Sequence, residues 1–588
     1  RSFNPTIRPS TGATRSCSLE GGYGASAGAQ QTVGDYECGY STLHLQFRTD
    51  PLEVERVITP GASGWAGWKY GLWVINYLEL MHDTDGNAVD RVSEAELANV
   101  GRERNTVVGQ QAGLTDPGAQ GTWLGATDLE GLQAAFMIEE VDNQAQHWLS
   151  ALNTADGTTL SGFGSLTDAL AYDYNSPLRW IPSAISVTEV RDESEFPRPT
   201  RYAIEQNASS LQGLLGLVGS YAEYHALTDR SNADVGNAQT TRAYFDGDPF
   251  PADNQRPDGE NTLHDRSLAV IKFALVTLDR LHRDPGSNVL VDTVTFQGAT
   301  PARGRTVTAT SLAQSIIALR LVRRSIAGNL TLYSNSTPDT AVTRTALDGT
   351  SFRGAPDNAT LPARLTALLH AQAEALYTQI TTADGNARPG YDVMTRAPTA
   401  PEGDLDAHTA AIRGLLEAFL ATGESRYRDR AEAVYRRMEA VFYSPRARLW
   451  RASRDASAEV VFTPLRFGML QGALRELYKL VAVAPGREAF AATIENHLAR
   501  LNKLVLNGWD DRDQDETVDW PSECMLVVDN IPRGGLQMGE RALTGELGAV
   551  DDAGVPVVDR DQDCVPEIAA ALLPGALAAE VRYRISEP

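Results

Sequence analysis

Lysine is nearly missing from this 588-residue chain: Lys69, Lys272, Lys479 and Lys503 are all there are. Against 76 aspartates and glutamates stand 52 lysines and arginines, a formal charge of −24. A surface field of that sign repels phosphate backbones and anionic headgroups, which excludes nucleic acid as a partner. The Arg- and Asp-rich balance fits a GC-rich bacterial genome. Long apolar runs are missing too. The longest, GWAGWKYGLWVINYLELM from Gly64 to Met81, is interrupted by Lys69, Asn76 and Glu79, and is too short and too polar to span a bilayer.

Cysteine is equally scarce. The four fall as Cys17 with Cys38 and Cys524 with Cys564, and no C-x-x-C or C-x-x-C-H occurs, which excludes zinc–thiolate and c-type haem sites. Two local disulfides are the natural reading, each closing a loop against about 3 to 4 kcal/mol of chain entropy; four unrelated buried thiols are the alternative. Pairing of that kind belongs to an oxidising compartment, so a secreted, periplasmic or cell-surface location is expected. The first residues, RSFNPTIRPSTGATRSC, hold no apolar core of an export signal, so such a signal is expected to have been removed already. Phosphate-binding P-loops, H-E-x-x-H, G-x-S-x-G and dinucleotide fingerprints are all absent, which removes the chemistries that leave a fixed spacing. Acid/base work by carboxylates leaves none, because the partners meet only in the fold.

What the chain does have is apolar periodicity. Helical runs are expected over Asp128–Leu152, Ser209–Leu227, Asn261–Arg283, Thr308–Ile326, Leu361–Thr381, Leu405–Ala421, Arg426–Phe442, Pro464–Val481 and Arg487–Leu506. In the sixth, Leu405, Ile412, Leu415 and Phe419 recur at helical spacing, with Asp404 as N-cap and Gly423 as C-cap. The next helix starts only a few residues later, and short helix–loop–helix joints of this kind make antiparallel hairpins that close into a ring or stack into a solenoid. Strand signals are few; STLHLQFRT at Ser41–Thr49 alternates and reads as one.

The segment AAIRGLLEAFLATGESRYRDRAEAVYRRME, Ala410 to Glu439, resembles the hairpin units of the (α/α) toroid superfamily, which includes six-hairpin glycosidases and N-acylglucosamine 2-epimerase-like proteins. The resemblance implies a mainly α ring of antiparallel hairpins. The expected organisation is an N-terminal disulfide-bearing segment over 1–60, a toroid-like domain over 61–506 and an acidic C-terminal segment over 507–588. Long loops at Asp229–Glu260, Asn329–Thr360 and Asp384–Gly403 depart from a compact repeat and are where function is expected.

Acidic residues crowd three loops, and crowded like charges are tolerated best around a cation. In DRDQDETVDWPSE, Asp511, Asp513, Asp515 and Asp519 occupy positions 1, 3, 5 and 9 of a calcium loop. Oxygen ligands at alternating positions let a turning backbone wrap one Ca²⁺ with six or seven contacts. The echo DRDQDCVPE supplies Asp559, Asp561, Asp563 and Glu567. DTDGNAVDRVSE sets Asp83, Asp85, Asn87 and Glu94 at positions 1, 3, 5 and 12, with the Val89 carbonyl at 7. The C-terminal loops resemble thrombospondin type 3 and dockerin-like calcium repeats, cysteine included. They depart from an EF-hand at Glu516, where the turn wants glycine, and at Ser522, where the bidentate ligand belongs.

For chemistry, EGDLDAH puts Asp404 and Asp406 at the mouth of a toroid-like helix, with His408 on the apolar stripe of Ile412 and Leu415, where it reads as a core histidine. AYDYNSPLRW sets Asp173 between Tyr172 and Tyr174, an aromatic neighbourhood that suits sugar rings or a packed loop. The Trp65–Trp68 spacing fits a buried first helix better than a stacking platform, and in MIEEVDNQAQHW the face of Met137, Val141 and Trp148 reads as buried and that of Glu140, Asn143 and His147 as solvated. Two function classes stand: a glycan-acting hydrolase or lyase using Asp173, Asp404 and Asp406, and a non-catalytic protein of the cell surface or envelope that docks a glycan or another envelope protein. If the acidic loops hold calcium, melting in calcium at about a hundred times Kd should exceed melting in EDTA by a shift worth about 2.7 kcal/mol per site. Equal melting temperatures would leave the loops as acidic turns.

Overall fold

A computed structural model of the chain describes residues 57–65, 67–68, 141–191, 197–228, 262–327, 339, 354–355, 360–444, 449–451, 454, 460–462 and 464–505, with short strands at 509–510, 520–521, 526–528, 531–533 and 543–545. The three acidic loops, all four cysteines and the expected strand at Ser41–Thr49 lie outside the described residues. Eight long helices among the described residues match eight of the periodic runs: α1 (Leu211–Thr228), α2 (Thr262–Leu281), α3 (Ala309–Ala327), α4 (Leu361–Ala375), α5 (Leu405–Thr422), α6 (Ser425–Phe442), α7 (Pro464–Leu477) and α8 (Glu488–Val505). Both α4 and α7 end in a π-turn, Leu376–Ile380 and Tyr478–Ala482.

Consecutive helices pack as hairpins, α1 with α2, α3 with α4, α5 with α6 and α7 with α8, while α1, α3, α5 and α7 also pack side by side in that order. The odd-numbered helices therefore form an inner layer and the even-numbered ones an outer layer. This two-layered alternation is the arrangement of an α/α toroid. The patterning explains the division: α5 is buried on nearly every side, whereas α6 buries only Tyr427, Ala431, Val434, Tyr435, Met438 and Phe442. A helix that buries residues on every face needs cover all round, and one with a single apolar stripe suits a periphery.

The ends of the hairpin α5–α6 are set as their residue types require. The Asp404 side chain accepts from the Ala407 N–H at 2.9 Å, and Gly423 turns the chain at φ 75°, its N–H donating to the Phe419 carbonyl at 2.7 Å. Helix α5 meets its inner neighbour closely at Gly414, where an added Cβ would stand 2.9 Å from Ala313 Cα and 2.6 Å from a Leu376 methyl. Helix α1 carries a comparable stripe, Gly213, Gly216 and Gly219. A Cβ at Gly216 would lie 3.2 Å from the Trp65 ring, and one at Gly219 would lie 2.5 Å from the Trp68 ring. The two indoles stack on each other at 5.2 Å, 3% and 2% exposed. They are core, as their spacing suggests. So are Val141 and Trp148, while Asn143 and His147 face solvent.

Strands contribute more than the sequence advertised. Ala184–Arg191 and Pro197–Gln206 form a long antiparallel hairpin whose first strand also pairs with Val57–Ile58, and Ala208–Ser210, Thr293–Gln297 and Thr300–Arg303 form a second three-stranded sheet. Gly390–Asp392 pairs with Thr306–Thr308 just before α3. Replacing Gly414 with alanine should cost about 1 to 3 kcal/mol despite the gain in helix propensity, because the Ala313 backbone cannot rotate away. Gly423→Ala, which has open space around it, should cost about 1 kcal/mol through its left-handed backbone alone. Thermal melts of the two variants check the order.

Candidate functional site

Alternating hairpins direct the N-termini of α3, α5 and α7 to one end of the array, the mouth from which Asp404 and Asp406 were read. Asp404 serves there as the N-cap of α5. Asp406, 39% exposed, takes a two-pronged ion pair from Arg466 Nε and Nη2 at 2.7 Å each, tying the start of α5 to that of α7. His408 is enclosed. Its Nδ1 lies 2.7 Å from the Asp404 carbonyl and its Nε2 accepts from the Ala387 N–H at 3.2 Å, which places the proton on Nδ1. Burial pushes its pKa down and keeps it neutral. It fastens the ordered segment 381–404 to α5, the role of a core histidine.

Asp173 stands elsewhere, in the turn after the short helix Leu166–Leu170, beside the end of α2. Its Oδ1 accepts from the N–H groups of Asn175 and Ser176 at 2.9 and 3.1 Å, closing a tight turn. Of the flanking tyrosines, Tyr172 packs edge-on against Phe163 and Phe273, and the Tyr174 hydroxyl donates to the buried Asp279, which Arg364 and Arg283 also grip at 2.6 Å. Trp180 is fully buried, stacked on Phe296 at 4.1 Å. The aromatics around Asp173 are packing. The structure brings Asp404 and Asp406 together and keeps Asp173 apart from both.

A second group of charges lies along the inner helices. Asp406, Arg413 and Glu417 share one stripe of α5, and because α6 covers the outer side while α3 and α7 flank it, a stripe that reaches both neighbours faces the axis. Arg320 of α3 donates from Nη1 to Glu417 Oε1 at 2.7 Å. Arg413 stands 3.4 Å from Glu417 and 3.6 Å from Glu476 of α7. At the other end Asp339 receives Arg320 Nε and Nη2 at 3.0 and 2.7 Å and Arg323 Nη2 at 2.8 Å, with Arg324 at 3.7 Å. Asp339–Arg320–Glu417–Arg413–Glu476 is thus a continuous chain of alternating sign across three inner helices, every side chain at most 5% exposed. At 1.5 Å per residue, Arg413 and Glu417 sit about 10 and about 16 Å along α5 from Asp406.

The carboxylates of this chain are driven in opposite directions. Burial works to raise Glu417, but Arg320 and Arg413 on either side hold it below the ordinary range, so it is ionised. Asp339 is likewise held down against burial, by Arg320, Arg324 and Arg323. Glu476 is raised: burial dominates, and Arg413 and Lys479 offset only part of it. Two carboxylates, one held ionised and one held toward neutral, flank a single guanidinium, the kind of pairing that general acid–base chemistry uses.

These residues were missed in the sequence. Their signal is a charge inside an otherwise apolar run, in ALRLV, AIRGLLEAF and LRELY. Among the described residues no cluster of three or more histidines, cysteines or acids could hold a metal ion, and no helix is long and apolar enough to cross a membrane. The calcium-ligand candidates Asp83, Asp85, Asn87, Val89 and Glu94, Asp511, Asp513, Asp515 and Asp519, and Asp559, Asp561, Asp563 and Glu567 lie outside the described residues.

No protein-family model matches the chain, and no curated protein matches it. Solved structures do. A cellobiose 2-epimerase from Bacillus thermoamylovorans is 8% identical, with 90% of this chain and 88% of that one covered at a TM-score of 0.44. A D-mannose isomerase is 11% identical, covering 65% and 88% at 0.33. An unsaturated glucuronyl hydrolase from a Bacillus species is 13% identical, covering 67% and 89% at 0.30.

Glu417 supplies a pH test. Its folded pKa lies below the unfolded value, so its stabilisation is present above the ordinary carboxylate range and is lost as pH falls through the folded pKa. Glu417→Gln leaves Arg320 and Arg413 without an ionised partner between them and should cost about 3 to 5 kcal/mol at neutral pH. The gap to the parent chain should close as pH drops below about 4. Melting curves against pH check both the size and the closing; a gap constant with pH would mean Glu417 is not held ionised.

Proposed function

We propose that the chain is a glycan-acting enzyme of the toroid class, a hydrolase or lyase working by carboxylate acid–base chemistry on the inner wall. The observation that supports this reading is the Glu417–Arg413–Glu476 arrangement. Glu476, raised by burial, is the proposed proton donor, and Glu417, held down by Arg320 and Arg413, is the proposed acceptor or stabiliser of developing positive charge, with Arg413 standing between the two. Asp406, with its partly exposed carboxylate at the mouth, is the proposed substrate-binding group; Asp173 and Asp404 complete the set, their carboxylates serving the turn and the cap. The three acidic loops are proposed to bind calcium and to staple the segments that carry them, in an exported protein whose cysteines pair locally.

A specific observation favours a second reading. The charge chain is dry, and buried ion pairs also serve to fix how helices pack. In that case the array is a rigid non-catalytic body of the cell surface or envelope. Incubating the full chain with a panel of neutral and uronate-containing oligosaccharides, and following new reducing ends and the ultraviolet absorbance of unsaturated products, separates the two. The enzyme reading expects turnover that Glu476→Gln lowers by about 10² to 10⁴ while the far-ultraviolet circular dichroism is unchanged. No turnover across the panel, with Glu476→Gln changing only the melting temperature, would establish the second reading.

A further inference from the structure

Arg320 has three hydrogen-bonding nitrogens, and the structure divides them unequally. Nε and Nη2, the side edge of the guanidinium, are taken by the two oxygens of Asp339 at 3.0 and 2.7 Å, and the remaining Nη1 reaches Glu417 Oε1 at 2.7 Å. A planar fork gripped on one edge by a bidentate carboxylate has no rotation left, so the direction of its third nitrogen is decided by the grip. Asp339 is itself fixed. Its N–H donates to the Leu420 carbonyl at 2.6 Å, and Arg323 Nη2 bridges its Oδ2 at 2.8 Å and the Ala421 carbonyl at 2.7 Å. Those carbonyls belong to the last turn of α5, the helix that carries Glu417.

We infer that Asp339 is a positioning residue: by holding the side edge of Arg320 against the end of α5, it aims Arg320 Nη1 at Glu417 and so sets the carboxylate for its task. The inference rests on the acid–base reading for its consequence and on the guanidinium geometry for its mechanism. The charged groups around Glu417 are Arg320 from α3, Arg413 from its own helix, Glu476 from α7 and Asp339 itself. That last neighbour makes the effect separable from simple charge. Asp339 is an anion, and its direct field raises Glu417. Deleting its charge should therefore lower the Glu417 titration if field were all that mattered, and should raise it if Asp339 acts by aiming Arg320.

The test is a carboxyl-carbon titration by NMR of the full chain labelled at glutamate, with the Glu417 signal identified by its loss in Glu417→Gln. In Asp339→Asn the titration should move up by about one unit or more, and Asp339→Glu, which keeps a carboxylate, should move it less. Arg320→Lys keeps the cation but has no fork with which to serve two carboxylates at once, and should give the same upward shift; it decides the matter alone if Asp339→Asn does not fold. A downward shift, or none, in whichever of these variants folds overturns the inference. The titration needs no turnover, so a chain inactive on every glycan would refute the enzyme reading and leave this result standing.

Discussion

Burying a charge without a partner costs several kcal/mol, and this array buries a row of them at its axis. Everything along the inner layer depends on how that cost is offset. Arg320 and Arg413 each stand between two carboxylates, and Glu417 stands between both arginines, so no member of the row can be satisfied by its own helix alone. Apolar contacts between parallel helices tolerate a slide of one turn with little loss. An alternating row of charges does not, because a slide would place like beside like. The row therefore fixes the height at which α3, α5 and α7 meet, and Gly414, between Arg413 and Glu417 on α5, lets α3 and α5 approach closely.

Much of this was legible in the residues. All eight long helices were visible as periodic runs, and the Asp404 and Gly423 caps were read correctly because a helix end has a local chemical grammar. Trp65, Trp68 and His408 were read as core from their spacing on an apolar face, and they are core. The hairpin Ala184–Gln206 escaped notice because register shifts at Ala184/Ile185 and Thr188/Glu189 break the two-residue alternation by which a strand is recognised. The axial charges escaped for a different reason. Glu417 is 97 positions from Arg320 and Glu476 is 63 from Arg413, and nothing local says that such residues meet. The carboxylates that sequence did single out sit where caps and turns are made, since Asp, Pro and Gly crowd such places whether or not chemistry is done there.

The two charge systems differ in what surrounds them. At the mouth, Asp406 pairs with Arg466 while still 39% exposed, a contact that water and salt can weaken and a ligand can enter. Along the axis, Glu417 is 4% exposed and answers only to its neighbours. The mouth pair is thus free to rearrange, whereas the axial row is fixed in charge and direction.

The connections between paired helices also differ widely. The partners α1 and α2 are separated by residues 229–261, α3 and α4 by 328–360, and α5 and α6 only by Gly423 and Glu424. Bringing the ends of the shortest connection together costs about 2.5 kcal/mol less chain entropy than for either long one. The α5–α6 pair is thus the part of the array that closes most readily on its own during folding, and it carries Arg413 and Glu417. Arg320 of α3 and Glu476 of α7 meet that hairpin from its two sides, so the least costly closure in the array carries the residues on which its buried charges converge.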